Sequence, residues 1–154
     1  MTVTKQQLQE DLSTAIKARD ELRSATLRLA LTAITNEEVS GKQARELSSD
    51  EVVAVLVREA KKRRESAAAY EEANRPELAD RERAELAVLE VYLPQQLSPA
   101  ELDDLIAAAI ADATAAGHEG MRAMGVVMKT LQPEIAGRAD GAAVAAAVKA
   151  KLGA

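Results

Sequence analysis

The 154-residue chain has no cysteine, tryptophan or phenylalanine, and it contains only two tyrosines and one histidine. The absence of cysteine excludes disulfides, thiol nucleophiles, cysteine-ligated zinc and iron–sulfur clusters. A cluster of histidine ligands is excluded as well, because His118 is the single histidine. We therefore expect neither a metal site nor any other cofactor.

The sequence also lacks an apolar run of the roughly 20 residues that a membrane span requires, so we expect no membrane association. Residues 1–10 are polar and lack the apolar core of a signal peptide. Together these absences predict a cytoplasmic protein. The formal charge is −5, from 25 acidic and 20 basic residues, which excludes a uniformly basic nucleic-acid binder but permits a local basic patch.

Residues arranged for bond-making chemistry are missing too. His118 lies between Gly117 and Glu119 near a predicted helix end, which is typical of an exposed loop histidine. No Gly-x-Ser-x-Gly turn presents a nucleophile, and the scattered glycines form no phosphate-cradling loop. We therefore assign no catalytic residue.

What the sequence does contain is an abundance of strong helix formers, with no hairpin signal between alternating segments. This composition predicts an all-α fold. We expect an N-terminal helical domain of about four helices in residues 1–93. A proline-containing hinge at residues 94–98 and a small C-terminal three-helix domain in residues 99–154 complete the predicted organisation.

Capping signals mark the predicted helix starts. Each start has a polar residue that can accept a hydrogen bond from the first turn, in two cases with Glu three positions later: Thr4, Asp20, Ser48, Ser98 and Asp140. Apolar residues on two faces of the second helix predict a central position for it in the bundle. The helix after Gly120 is expected to end before Pro133.

A basic run at Lys61, Lys62, Arg63 and Arg64 is the strongest charge feature of the chain. Glutamates three or four positions away favour a salt-bridged solvent face. The functional alternative is contact with phosphates along an RNA backbone. Both interpretations stay open at this point, and Tyr92 is expected in a contact between the two domains.

Three segments resemble the GatB/YqeY family. The first is the basic run with Arg64-Glu65-Ser66 and Ala69-Tyr70-Glu71, similar to KKRRES…AYE. The second is Tyr92-Leu93-Pro94-Gln95-Gln96-Leu97-Ser98, similar to YLPxQLS. The third is Met124-Gly125-Val126-Val127-Met128-Lys129 with Gly137-Arg138-Ala139-Asp140-Gly141, similar to MGxVMK…GRADG.

This resemblance implies a two-part helical protein whose C-terminal part is similar to the tail of GatB, a subunit of transfer-RNA-dependent amidotransferases. That tail is associated with gripping the transfer RNA body, and family members carry the label of glutamine-dependent carbon–nitrogen ligases. This chain lacks room for the catalytic domain of GatB. The enzymatic label is therefore expected of an assembly rather than of this polypeptide.

The C-terminal segments also contain the residues that could contact RNA. The basic candidates are Lys129, Arg138, Lys149 and Lys151, beside the run at residues 61–64. Gly125 and Gly137 are positions where a backbone could approach closely. The alternative structural interpretation assigns Gly125 to close helix packing, Gly137 to a turn and Asp140 to a helix cap.

Two functions from different classes follow. The first is a non-catalytic accessory module that binds transfer RNA. The alternative is a helical adaptor without an RNA role, motivated by the acidic balance and the Met- and Ala-rich apolar faces. In either case a protein partner from the translation or amidotransferase machinery is expected.

Overall fold

The computed structural model describes residues 2–153, and every regular element within them is helical, which confirms the predicted all-α class. Seven α-helices follow one another, with a short 3-10 turn at Gly120–Ala123 before the sixth. Their bounds are α1 Lys5–Lys17, α2 Glu21–Glu38, α3 Ser49–Glu72, α4 Pro76–Glu90, α5 Pro99–Ala115, α6 Met124–Ile135 and α7 Gly141–Leu152.

The helices group into two compact units, one ending at Leu93 and the other beginning at Pro94. In the N-terminal unit α2 packs against α1, α3 and α4, which gives it the predicted central position. The two predicted apolar faces are not equally buried, however, because the face with Leu22, Leu29 and Ala33 is only partly covered. Leu27, Ala30 and Ile34 lie in the core, whereas Leu29 is 53% exposed.

Local capping chemistry explains where the helices begin. Ser48 and Ser98 each form a complete capping box with the glutamate three residues later. The backbone N–H of Ser98 donates to the Glu101 carboxylate at 2.8 Å, and this bond is the main reason that the pKa of Glu101 lies below its usual value. Thr4 accepts from the backbone N–H of Gln7, whose side chain bonds Asp11 instead of completing a box.

The C-terminal unit packs α5, α6 and α7 around a small aliphatic core that includes Ile106, Val127, Leu131 and Val144. The predicted end of α6 before Pro133 is wrong, because the helix continues to Ile135. Proline removes one backbone hydrogen bond near the end of this helix. One further half turn buries Ile135, which is 2% exposed, and this burial offsets the lost bond.

Tyr92 lies inside the N-terminal unit and belongs to its core, being 5% exposed, so its expected place between domains is not where the structure puts it. Its hydroxyl donates to Oδ2 of Asp11 on α1 at 2.5 Å. Burial of the ring, followed by this bond to a carboxylate, raises the pKa of Tyr92 to about 12. The bond ties the chain just after α4 to α1.

None of the helices within residues 2–153 is both long enough and apolar enough to cross a membrane.

The raised pKa of Tyr92 predicts a specific loss of stability at high pH. Because the folded-state pKa lies above the unfolded value of about 10, the stabilisation is complete below pH 10 and is lost as the pH rises through 12. We expect the free energy of unfolding, from urea titrations at pH 9 to 12, to fall more steeply in the native chain than in Tyr92→Phe. Parallel curves for the two proteins would contradict this assignment.

Candidate functional site

The described residues contain no cluster of side chains arranged for catalysis. The side chain of His118 is exposed, and its backbone N–H closes the end of α5 by donating to the Ala113 carbonyl at 2.9 Å. Within residues 2–153 there is no group of three or more histidine, aspartate or glutamate side chains that could hold a metal ion. The remaining candidate residues are the charged ones on the surface.

The basic run on α3 is distributed among carboxylates. Lys61 lies 4.0 Å from Glu65, Lys62 lies 3.2 Å from Glu59, and Arg64 lies 3.6 Å from Glu90 on α4. Pairs at these spacings stabilise helices, and exposed ones contribute little energy each. This geometry favours the structural interpretation of the run over phosphate contact.

Arg63 differs from the rest of the run because it is buried, with 6% of its surface exposed. Its Nη1 lies 3.1 Å from the Glu59 carboxylate, and its Nε lies 3.5 Å from the Glu85 carboxylate on α4. Nη1 also donates to the Glu59 carbonyl at 3.2 Å. Arg63 thus joins α3 to α4 and offers no exposed face to an RNA phosphate, which removes it from the candidate RNA contacts.

Replacing Arg63 tests this structural role. Arg63→Met would keep much of the side-chain volume but leave Glu59 and Glu85 largely buried without their shared cation. We expect the free energy of unfolding in urea to fall by about 2–3 kcal/mol. Arg83→Met is the matched control, because Arg83 on α4 forms only exposed ion pairs. An equal loss in both variants would show that Arg63 is not a special contact.

The second and third family-like segments meet in the C-terminal unit. The backbone N–H of Leu97 donates to the Arg138 carbonyl at 2.9 Å, and Nε of Arg138 donates to the Gln95 carbonyl at 3.0 Å. The side chain of Gln96 donates to the Gly137 carbonyl at 2.8 Å. We call this set of contacts the 95–138 clamp. It makes the predicted hinge segment part of the C-terminal unit.

Two of the predicted RNA contacts, Arg138 and Lys151, have partners within the C-terminal unit. Arg138 has its guanidinium engaged with backbone carbonyls, since Nη1 also lies 3.4 Å from the Glu134 carbonyl. Lys151 lies 3.9 Å from Asp103 on α5. Asp140 occupies the N-cap position of α7, but its side chain does not make the expected cap bond to the helix backbone.

Gly125 is not a close-packing position, contrary to the structural interpretation of this residue. A Cβ built at Gly125 would meet no atom within 4 Å, so the backbone of α6 lies open there. Arg122, in the 3-10 turn just before α6, and Lys129, on α6, precede and follow it by three and four residues. We call these three exposed residues the α6 basic stripe.

The stripe is free of opposing charge. Residues 120–133 contain two bases and no acid, and neither Arg122 nor Lys129 forms an ion pair with any residue in the described part of the chain. Lys149 on α7 is likewise exposed and unpaired within residues 2–153. Sequence reasoning missed Arg122, although the spacing of Arg122 and Lys129 around Gly125 was a signal that could have identified it.

The two glycines of this unit should respond oppositely to alanine. Gly137 has a φ of +71°, so Gly137→Ala should weaken the clamp and destabilise the unit by about 1–2 kcal/mol. Gly125→Ala should stabilise it by about 0.5–1 kcal/mol, because alanine favours a helix and the Cβ has open space. Amide hydrogen exchange across α6 and α7 measures both effects. Equal protection in the two variants would contradict the expected contrast.

Comparison with known proteins assigns the chain to a family. The family described as "Yqey-like protein" matches residues 5–152. Two curated relatives are both named "Altered inheritance of mitochondria protein 41, mitochondrial". The protein from Lachancea thermotolerans is 33% identical over 100 residues, and that from Vanderwaltozyma polyspora is 32% identical over 100 residues. In both cases the alignment covers 62% of this chain and 52% of the relative, so the chain matches about half the length of these relatives.

These names correct one expectation. The predicted cytoplasmic location is wrong by this comparison, since both relatives are named as mitochondrial proteins and point to mitochondria instead. The physical reason is that a targeting segment is read separately from the folded domain and can be removed. The polarity and hydropathy of a folded domain therefore do not indicate its location in the cell.

Proposed function

Because this chain belongs to the YqeY-like protein family, we propose that it is a non-catalytic accessory module that binds transfer RNA through its C-terminal unit. The YqeY-like domain is a non-catalytic module that is found at the C-terminus of GatB and as a standalone protein. In this proposal any glutamine-dependent carbon–nitrogen ligase activity belongs to an assembly that the module joins. The module contributes binding and no reacting group.

The observation that carries this proposal is the α6 basic stripe. Two unpaired cations flank a position with no side chain, so a phosphate can approach the helix backbone at Gly125 while Arg122 and Lys129 donate to its oxygens. Contacts of this kind position an RNA backbone without reading its sequence. Lys149 on α7 adds a third exposed cation to the same small unit.

The number of cations limits the expected affinity. Each neutralised phosphate releases counterions, so binding through two or three contacts is weak at physiological salt and strongly dependent on salt concentration. A partner protein that adds further contacts would raise the affinity by holding the RNA at high effective concentration. The small number of cations is therefore consistent with a module that binds RNA as part of an assembly.

The alternative function is a protein adaptor. Met121 and Val126 are exposed apolar side chains that lie beside the stripe residues in sequence. Methionine adapts to varied partner surfaces, and exposed apolar side chains that cluster mark interaction sites. Both functions place the contact at the start of α6, but only RNA binding requires the two cations.

Substitution of the stripe separates the two functions. We expect Lys129→Gln and Arg122→Gln each to weaken filter binding of bulk transfer RNA by about three- to tenfold at low salt. Each change should also lower the slope of log affinity against log salt by about 1, since one phosphate contact is lost. Gly125→Ala, which leaves the charge unchanged, should weaken binding because its methyl group occupies the open position.

Lys151→Gln is the matched control, because Lys151 lies in the same unit but is paired with Asp103. Its binding curve should overlay that of the native chain. Absence of saturable binding at low salt would refute the RNA function. A partner that survives nuclease treatment and is lost with Met121→Ser, but not with Lys129→Gln, would favour the adaptor.

A further inference from the structure

A second cationic surface lies in the N-terminal unit, far along the sequence from the stripe. It is an open groove of about 740 Å³ where α1 ends and α2 begins, bordered by α4. Three arginines line it, each from a different element: Arg19 from the turn after α1, Arg28 from α2 and Arg81 from α4. The fold therefore brings together residues that are far apart in the sequence, and no local run of bases predicts the groove.

The charge of the groove is positive in a chain that is acidic as a whole. Glu21 is the single acid among the lining residues, against the three arginines. Neither Arg19 nor Arg28 has an ion-pair partner within residues 2–153. Unpaired guanidinium groups that converge on a concave surface attract anions and match the geometry of phosphate oxygens.

Arg81 is held in place by the buried ion network between α3 and α4. Its Nε lies 3.3 Å from the Glu85 carboxylate, which also contacts the buried Arg63. Glu85 is itself mostly buried, so its carboxylate restrains one edge of the Arg81 guanidinium. The planar fork of arginine has further N–H donors that this contact does not use. The network thus orients one of the three anion ligands in advance.

Ser24 adds a hydroxyl to the three guanidinium groups that line the groove. It lines the groove although only 5% of its surface is exposed, and its hydroxyl can both donate and accept a hydrogen bond. Thr26, two residues later, is also buried, and its hydroxyl is satisfied by the Leu22 carbonyl at 2.8 Å. A hydroxyl in the wall of the groove can donate to a bound phosphate oxygen, beside the N–H donors of the arginines.

One wall of the groove is apolar. Leu22 and Ile16 both line it, and Ile16 is 47% exposed although isoleucine is among the residues most often buried. The volume falls within the range of small-molecule sites, which typically combine apolar walls with a few converging polar groups. Charge and shape together fit an anionic ligand that also carries a planar or apolar part.

We propose that this groove binds a small phosphorylated ligand of nucleotide size, with its phosphate on Arg19, Arg28, Arg81 and Ser24. The apolar part of the ligand lies against Ile16 and Leu22. This site belongs to the N-terminal unit and does not depend on whether the C-terminal unit binds RNA. The stripe and the groove are therefore tested by different variants.

The experiment follows backbone amide and arginine Nε–Hε resonances of the full chain during titration with pyrophosphate, AMP and adenosine. Saturable shifts at Ser24 and Arg28 with pyrophosphate and AMP, and none with adenosine, are expected. AMP should also shift Ile16 or Leu22, because pyrophosphate has no apolar part. Arg28→Gln and Ser24→Ala should each weaken binding at least tenfold while the remaining spectrum stays native.

Arg83→Gln is the matched control, since Arg83 lies on α4 two residues from Arg81, does not line the groove and is exposed. Its titration should match that of the native chain. Equal weakening in Arg28→Gln and Arg83→Gln would overturn the proposal in favour of general charge attraction. Binding of an RNA oligonucleotide at Ser24, without binding of AMP or pyrophosphate, would overturn the assignment to a small ligand.

Discussion

The structure depends first on a constraint of composition, which is that both cores are filled without phenylalanine or tryptophan. Apart from Tyr92, the apolar side chains of the cores are Leu, Ile, Val and Ala, and small residues such as Ala30 and Ala60 let neighbouring helices approach closely. Aliphatic cores of this size provide limited burial energy in units of about 90 and 60 residues. Specific polar contacts therefore help to orient the helices relative to one another within each unit. This explains why some polar and charged side chains are buried between helices.

Three polar contacts do this work in different parts of the chain. Arg63 joins α3 to α4, and the Tyr92 hydroxyl joins the end of α4 to α1. In the C-terminal unit the 95–138 clamp ties the proline-containing segment to the turn before α7. Each contact uses residues from a segment that resembles the GatB/YqeY family. The residues of these family-like segments thus stabilise the fold at least as much as they could bind a ligand.

The helices were predictable from sequence because their signals are local. A cap at Ser48 or Ser98 acts within four residues, and the periodicity of Leu and Ala follows from one helix alone. The end of α6 was missed because burial of Ile135, a tertiary contact, outweighs the local effect of Pro133. Arg63 and Arg138 were read as surface cations for the same reason, since each has, beside a nearby partner, a second one far away in the sequence: Glu85 for Arg63 and Gln95 for Arg138. The groove could not be predicted at all, because its three arginines are dispersed over more than 60 positions.

Ion pairing also decides which cations carry information about function. In an acidic chain most basic side chains find a carboxylate, and such pairs leave little field outside the protein. The run at residues 61–64 is the densest cluster of bases, yet its charge is largely compensated. The cations without carboxylate partners in residues 2–153 include Arg19 and Arg28 at one site and Arg122 and Lys129 at the other. A count of bases along the sequence therefore points to the run at residues 61–64. The cations that remain unpaired point instead to the groove and the stripe, where a bound phosphate would meet the least compensated positive charge.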